Sequence, residues 1–236
     1  MAAARRASAD GGTGSASERI HKGRTTIAAL AERELREMVL GGRFEAGERL
    51  NEVALADSLG ISRGPLREAV SRLAAEGLLT VVTHKGAYVR TVSPSDLRDL
   101  YELRIAVETY AVRLGVERAS DEQLAGLDAD LARTRAILER RSDEPYPADL
   151  DFHARVVSLA RNEALLTQVR ETHARLHLAR ARSAHDPRRA RAAYDEHAAV
   201  VARVLARDAA GAAELMESHL RAALENAAQR LQAPAP

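Results

Sequence analysis

Between Leu50 and Val89 the spacing of hydrophobic positions changes period twice. Leu55, Leu59, Ile61, Leu66, Val70 and Leu73 recur at helical intervals on either side of Gly60, so two short helices can share one apolar seam across a sharp turn. That is a helix-turn-helix pattern. Asn51 and Ser62 stand where the two helices begin, and their side-chain oxygens are suited to accept from the free amides of a first turn. Pro65 falls early in the second helix, where a missing N–H costs little. Beyond Gly77 the period shortens to two: 78–82 and 87–90 read as strands about a His84-Lys85-Gly86 turn, a hairpin wing. Upstream, Ile27, Leu30, Ala31, Leu35, Met38 and Val39 form the apolar face of a helix over 25–40, closed by Gly41-Gly42. Phe44, in the turn-rich link that follows, is expected to plug the core.

From Ser93 onward only the helical period persists. Ser93 and Asp96 can form a capping box around Pro94, and helices are expected near 95–118, 121–141, 146–160, 163–184, 187–207 and 209–230. The fold class is therefore mainly α: an N-terminal winged helix-turn-helix with a small β-hairpin wing, followed by an all-α six-helix bundle. The domains expected are a disordered tail over 1–23, a winged domain over 24–92 and a helical domain over 93–231. The first 22 residues are small, polar and glycine-rich, without the apolar core of a signal peptide.

Composition narrows the classes. The 236 residues carry 35 Lys and Arg against 34 Asp and Glu, so no global basic field points to nucleic acid. The signal is local. Arg63, Arg67 and Arg72 project from the second helix of the pair, and a guanidinium fork fits guanine O6/N7 or a phosphate. Lys85 and Gly86 would form a wing tip slim enough to approach a DNA backbone or minor groove. The cluster Arg175, Arg180, Arg182, Arg188, Arg189 and Arg191 lacks aromatic platforms and reads as solvated helix ends. The absence of cysteine excludes disulfides and thiolate metal sites and fits a reducing, cytoplasmic setting. No apolar run approaches the length of a membrane span, and no membrane partner is expected.

The arrangement LxExxLAxxLGxSRxPxREAxxxLxxEGLL with its glycine-tipped wing resembles the winged helix of the GntR family of bacterial transcription regulators. The resemblance implies that Arg63, Arg67 and the wing at Gly86 touch double-stranded operator DNA, with Ser62, Arg72 and Lys85 beside them. It also implies a homodimer on a palindromic site. Gly64 stands where relatives often carry a hydroxyl residue, so one phosphate contact of the family is expected to be missing.

The helical half carries a second constellation. Asp149 and His153 are four residues apart, hence on one helix face, while His197 and His219 lie midway along two helices that a short connection makes antiparallel. Three imidazoles and one carboxylate suit a divalent cation such as Zn²⁺, Ni²⁺ or Mn²⁺. Asp149, Phe152, His153, Val156, Ala160, Asn162 and Leu165, with Glu196-His197 and Ser218-His219-Leu220, resemble the FCD effector domain of the FadR/VanR branch. Six helices fit its VanR subgroup. The resemblance implies that Asp149, His153, His197 and His219 bind the metal and that a small carboxylate effector completes the coordination. Arg104, in Leu103-Arg104-Ile105-Ala106-Val107-Glu108, would clamp that anion or form an i, i+4 bridge to Glu108. His173 and His177 are a rival pair, ranked as pocket lining or solvated residues, and His21, His84 and His185 show no convergence. The committed function is a ligand-responsive DNA-binding regulator, most relatives being repressors. Two alternatives stand beside it. One is a metal-dependent hydrolase or oxygenase on a DNA-binding tether, with Glu108 or Asp151 as base. The other is a ligand-independent architectural DNA binder whose histidines only pack.

Overall fold

The computed structural model describes residues 26–140, 149–180 and 187–232, with the side chains of 149–151 left out. The tail expected to be disordered, Asp149 as a side chain, and Arg182 and His185 lie outside what is described.

The N-terminal unit consists of α1 (Ile27–Leu40), α2 (Glu52–Leu59), α3 (Arg63–Ala75), β1 (Leu79–Val82) and β2 (Gly86–Val89). Asn51 caps α2 by accepting from Ala54 N at 3.2 Å. Gly60 ends it in the left-handed conformation, φ 65°, which lets the chain turn into α3 without a Cβ penalty. The strands pair antiparallel, Leu79 opposite Val89 and Val82 opposite Gly86. Leu35, Val39, Leu55, Leu66, Val70, Leu73, Leu79 and Val89 are buried together as the core, and Phe44 packs against it.

Two expectations need correction here. Ser62 occupies the N-cap of α3 but its hydroxyl makes no capping bond. Pro65 explains this: it sits at the third helical position, one of the two amides a capping oxygen uses, and has no N–H to give. On α1 the buried face is Ala28, Ala31, Leu35 and Val39, whereas Ile27 and Leu30 are 58% and 41% exposed, because they project from the edge and the far side of that stripe.

The C-terminal unit is a bundle of α4 (Pro94–Arg118), α5 (Asp121–Glu139), α6 (Asp149–Ser158), α7 (Glu163–Arg180), α8 (Pro187–Leu205) and α9 (Ala209–Gln232). Ser93 and Asp96 form the expected capping box at the start of α4. α4 runs through the middle, packed against α6, α7, α8 and α9. Gly115 permits the closest approach, since a Cβ there would stand 3.0 Å from that of Leu159. α5, α6, α8 and α9 enclose the main core around Leu127, Val156, Val200, Val204 and Met216. No helix among the described residues is long and apolar enough to cross a membrane.

Candidate metal centre and nucleic-acid surface

His153 on α6, His197 on α8 and His219 on α9 are all buried in the bundle. Helical period puts each on the inward stripe of its own helix, and the antiparallel packing of α8 and α9 brings His197 and His219 level. His219 Nε2 lies 3.1 Å from His153 Nε2 and 3.3 Å from His197 Nε2. One ligand atom from each ring can be chosen so that all three lie within 4.8 Å of one another, a set that could hold a metal ion. With metal–nitrogen bonds of about 2.0–2.1 Å, neighbouring ligand nitrogens stand about 3.3 Å apart in a tetrahedron and about 3.0 Å in an octahedron. The two printed edges fall at those values.

The far side of two rings is held by carboxylates. Glu196 on α8 receives His219 Nδ1 at 2.6 Å and is itself gripped by Arg189 through bonds of 3.0 Å. Glu108 on α4 approaches His153 Nδ1 to 2.6 Å, a short contact lying off the N–H axis, so proximity of charge matters more than hydrogen-bond alignment. A carboxylate at Nδ1 favours the proton there and leaves Nε2 as a lone pair. Two lone pairs 3.1 Å apart repel unless a proton or a cation stands between them. His197 is fixed differently, stacked on Phe152 with ring centroids 3.8 Å apart.

Glu108 is the hub of a buried polar set. Besides His153 it accepts from Arg104 Nε at 2.7 Å and from His173 Nε2 at 3.1 Å. Burial alone would raise its carboxyl, but the Arg104 charge, then His153 and the hydrogen bonds, together hold it well below the usual carboxylate range. Glu196 is lowered as well: burial opposes the shift, and the bond from His219 and the Arg189 charge outweigh it. Burial pushes His173 down to about 4, aided by the Arg104 charge and opposed by the bond to Glu108. Arg104 is 1% exposed, and its Nη1 and Nη2 have no hydrogen-bond partner. Both readings of Arg104 thus have a physical basis: Nε makes the i, i+4 bridge, and the two terminal nitrogens keep donors for an anion.

The residues expected at DNA lie on one outward side of the N-terminal unit or at its wing. Ser62, Arg63, Arg67, Arg72 and Lys85 are exposed, and Gly86 opens β2 with φ 101°. Arg67 Nε is 3.3 Å from Glu52. Arg72 bonds Glu32 at 3.1 Å and Glu68 at 2.5 Å, so it is engaged with acids of its own unit. The hydroxyl of Ser62, freed from capping by Pro65, remains outward.

α7 touches both units. Arg175, expected to be a solvated helix end, instead donates from Nε to the carbonyl of Glu76, the C-cap of α3, at 2.6 Å. His177 Nε2 lies 2.9 Å from the carbonyl of Leu40, the last residue of α1. Leu178 is buried in the core of the N-terminal unit. Both side chains satisfy helix carbonyls that have no partner within their own helix. His173, two residues before Arg175, is buried on the same helix, not solvated.

Glu196 as the partner of His219, Phe152 as the platform of His197, and Arg175 and His177 as junction residues escape sequence reasoning. Each partner is at least 23 residues away except Phe152, whose mate is 45 away, so only the registers of α1, α3, α8 and α9 reveal them.

Comparison with known proteins agrees with this division. Residues 27–89 match the profile described as bacterial regulatory proteins, gntR family, and residues 99–222 match the FCD domain. The chain is similar to the Nta operon transcriptional regulator of Aminobacter aminovorans, 43% identical over 143 residues, spanning 61% of this chain and 68% of that one. It is also similar to the HTH-type transcriptional repressor GlaR of Escherichia coli K12, 35% identical over 207 residues, spanning 83% and 93%. Among solved structures, E. coli McbR/YncC superposes with a TM-score of 0.74 at 21% identity, covering 88% of this chain and 99% of that one.

Proposed function

The chain belongs to the gntR family of bacterial regulatory proteins and carries an FCD domain, and from that premise we propose that it senses a small carboxylate through a divalent metal and alters its hold on operator DNA accordingly. The family consists of transcription regulators and not enzymes, so the hydrolase or oxygenase alternative falls away. The observation that carries the sensing half is the meeting of three imidazole Nε2 atoms at ligand spacing, two of them backed by carboxylates.

In this reading His153, His197 and His219 hold Zn²⁺, Ni²⁺ or Mn²⁺, with Asp149 as a fourth ligand. A bound metal would supply a Lewis-acid centre for a carboxylate oxygen. Arg104 offers the anion its two unpartnered terminal nitrogens, and buried guanidinium donors that lack a partner favour such a ligand strongly. The bundle over 93–231 is the sensing and dimerising domain, and the winged unit over 24–92 reads a palindromic operator as one half of a homodimer. Ser62, Arg63, Arg67, Arg72, Lys85 and Gly86 form its duplex surface. The name of the GlaR relative supports repression, released when the effector binds. The setting is cytoplasmic.

Coupling between the halves runs along α7. His173 is bonded to Glu108 beside the cluster, while Arg175, His177 and Leu178 seat the same helix on α1 and α3. A ligand that prefers one position of α7 shifts the position of α3 by the same differential affinity.

The experiment is metal analysis of the full chain purified without chelator, joined to a thermal-shift screen of mono- and dicarboxylates. Stoichiometric metal lost in His219→Ala, and carboxylate shifts that require the metal, are expected. Metal-free protein whose melting ignores added Zn²⁺, Ni²⁺ and Mn²⁺ would refute the sensing half and leave the architectural alternative.

A further inference from the structure

One basic side chain next to the wing has no role in the reading above. Arg49 lies in a short extended stretch that adds to β2 as a third rung. Gly47 N donates to Val89 O, Val89 N to Glu48 O and Leu50 N to Ala87 O, each at 2.9 Å, and Arg49 stands opposite Tyr88 in an antiparallel bridge. Leu50 is buried in the core. Alternation along an extended chain therefore turns Arg49 outward, onto the face shared by Gly86 and Tyr88.

Its guanidinium reaches the wing tip. A Cβ on Gly86 would lie 3.3 Å from Arg49 Nε and 3.5 Å from Nη2, so the head group lies directly over the backbone of that glycine. Gly86 thus serves two ends: its φ of 101° suits no L side chain, and its bare Cα leaves room for the arginine. Arg49 is exposed and is bonded to no acid among the described residues, nor is Lys85 on the other side of Gly86. Three residues after Arg49, Glu52 at the start of α2 holds Arg67 of α3. Uncompensated charge therefore continues from the wing tip through Arg49 toward the recognition helix.

We propose that Arg49 is a phosphate-binding residue that clamps the DNA backbone between the wing tip and α3. This rests on the reading of α3 and the wing as the duplex surface. The guanidinium fork suits a phosphate, and its position over the wing backbone holds it at the height of the tip. Such a contact fixes register and adds affinity without reading sequence.

The test is fluorescence anisotropy of the full chain on a 30-bp random-sequence duplex over a potassium chloride series, for the parent, Arg49→Gln, Arg49→Lys and Arg63→Gln. One lost phosphate contact per protomer should reduce the slope of log K against log salt by about 0.9 and weaken binding about eightfold near 0.1 M salt. Arg49→Lys should keep most of that slope, because it keeps the charge. An Arg49→Gln slope within about 0.3 of the parent overturns the proposal, whether or not the variant melts lower, since a residue that only braces the wing lowers melting without releasing counterions. The Arg63→Gln arm separates the two failures. If it weakens binding while Arg49→Gln does not, only this inference falls; if neither matters, the duplex surface itself is misplaced.

Discussion

Replacing Glu108 is the sharpest probe of the buried set. Glu108→Gln keeps the shape of the side chain but removes the charge that faces Arg104 Nε at 2.7 Å, His173 Nε2 at 3.1 Å and His153 Nδ1 at 2.6 Å. Arg104 is then a buried cation whose Nη1 and Nη2 already lack partners. Breaking a buried pair from one side costs about 3–5 kcal/mol, because the remaining charge stays out of water. The amide oxygen can still accept one bond, so the lower end of that range, ~3 kcal/mol, is expected for Gln, and the upper end for Leu. For a bundle of this size that corresponds to a fall of roughly 10 °C in its melting temperature. Metal affinity should drop about 10- to 100-fold, the usual effect of removing a carboxylate behind a ligating imidazole. Thermal melts followed by circular dichroism, with a competitive metal titration on the same samples, measure both. A Glu108→Gln protein melting within about 2 °C of the parent with unchanged metal affinity would refute the claim that this carboxylate neutralises Arg104 and orients His153.

Three further outcomes follow from the same geometry. His173 is held neutral down to about pH 4, while an unfolded histidine takes its proton near 6.5; the unfolded state then binds more protons, and stability should fall by ~3 kcal/mol as pH drops from about 6.5 to about 4. His173→Gln should flatten denaturant midpoints across that window, and an unchanged pH slope would count against a buried neutral ring. Dialysis against a chelator should lower melting by ~2–3 kcal/mol equivalent where free metal stood near a hundred times its dissociation constant, with recovery on re-addition; no change would mean that no metal had been stabilising the fold. Arg175→Ala should abolish any difference in duplex affinity between metal-loaded and metal-free protein, at about 1–3 kcal/mol of stability for the bond lost at the Glu76 carbonyl, and a surviving difference would remove α7 as the route.

Local chemistry explains which parts were legible in advance. Asn51, Gly60 and the Ser93-Asp96 box mark helix ends by bonds within three or four residues, so the sequence carries them openly. The three cluster histidines were legible because 3.6-residue periodicity and two antiparallel helices fix their level to within a turn. Ser62 shows a local rule overridden by a nearer one: the cap was expected from the residue at the boundary, but the proline three positions on had removed its donor. Glu196 and Arg175 mark the limit of such reasoning. Their charges read as solvated ends in the sequence, and only the docking of α9 on α8, and of α7 on α3, turns them into a ring partner and a carbonyl cap.

The placement of α7 gives the fold its capacity to couple two sites. A helix that touched only the bundle could answer a ligand without consequence for α3, and one that touched only the N-terminal unit would have nothing to answer. Here His173 and Arg175 are two residues apart and point to different units: one to Glu108, the other to the end of α3. Gly77 makes the second contact demanding, since at φ 76° a Cβ there would stand 2.8 Å from Arg175 Nε. Gly77→Ala should therefore strain the turn after α3 and push Arg175 off the Glu76 carbonyl at once. If the junction is the coupling element, that variant should lose metal-dependent DNA affinity as Arg175→Ala does, and the pair combined should lose no more than either alone, because both act on one contact. Additive losses in the double variant would show that the two residues act through separate contacts and that the junction carries no signal of its own.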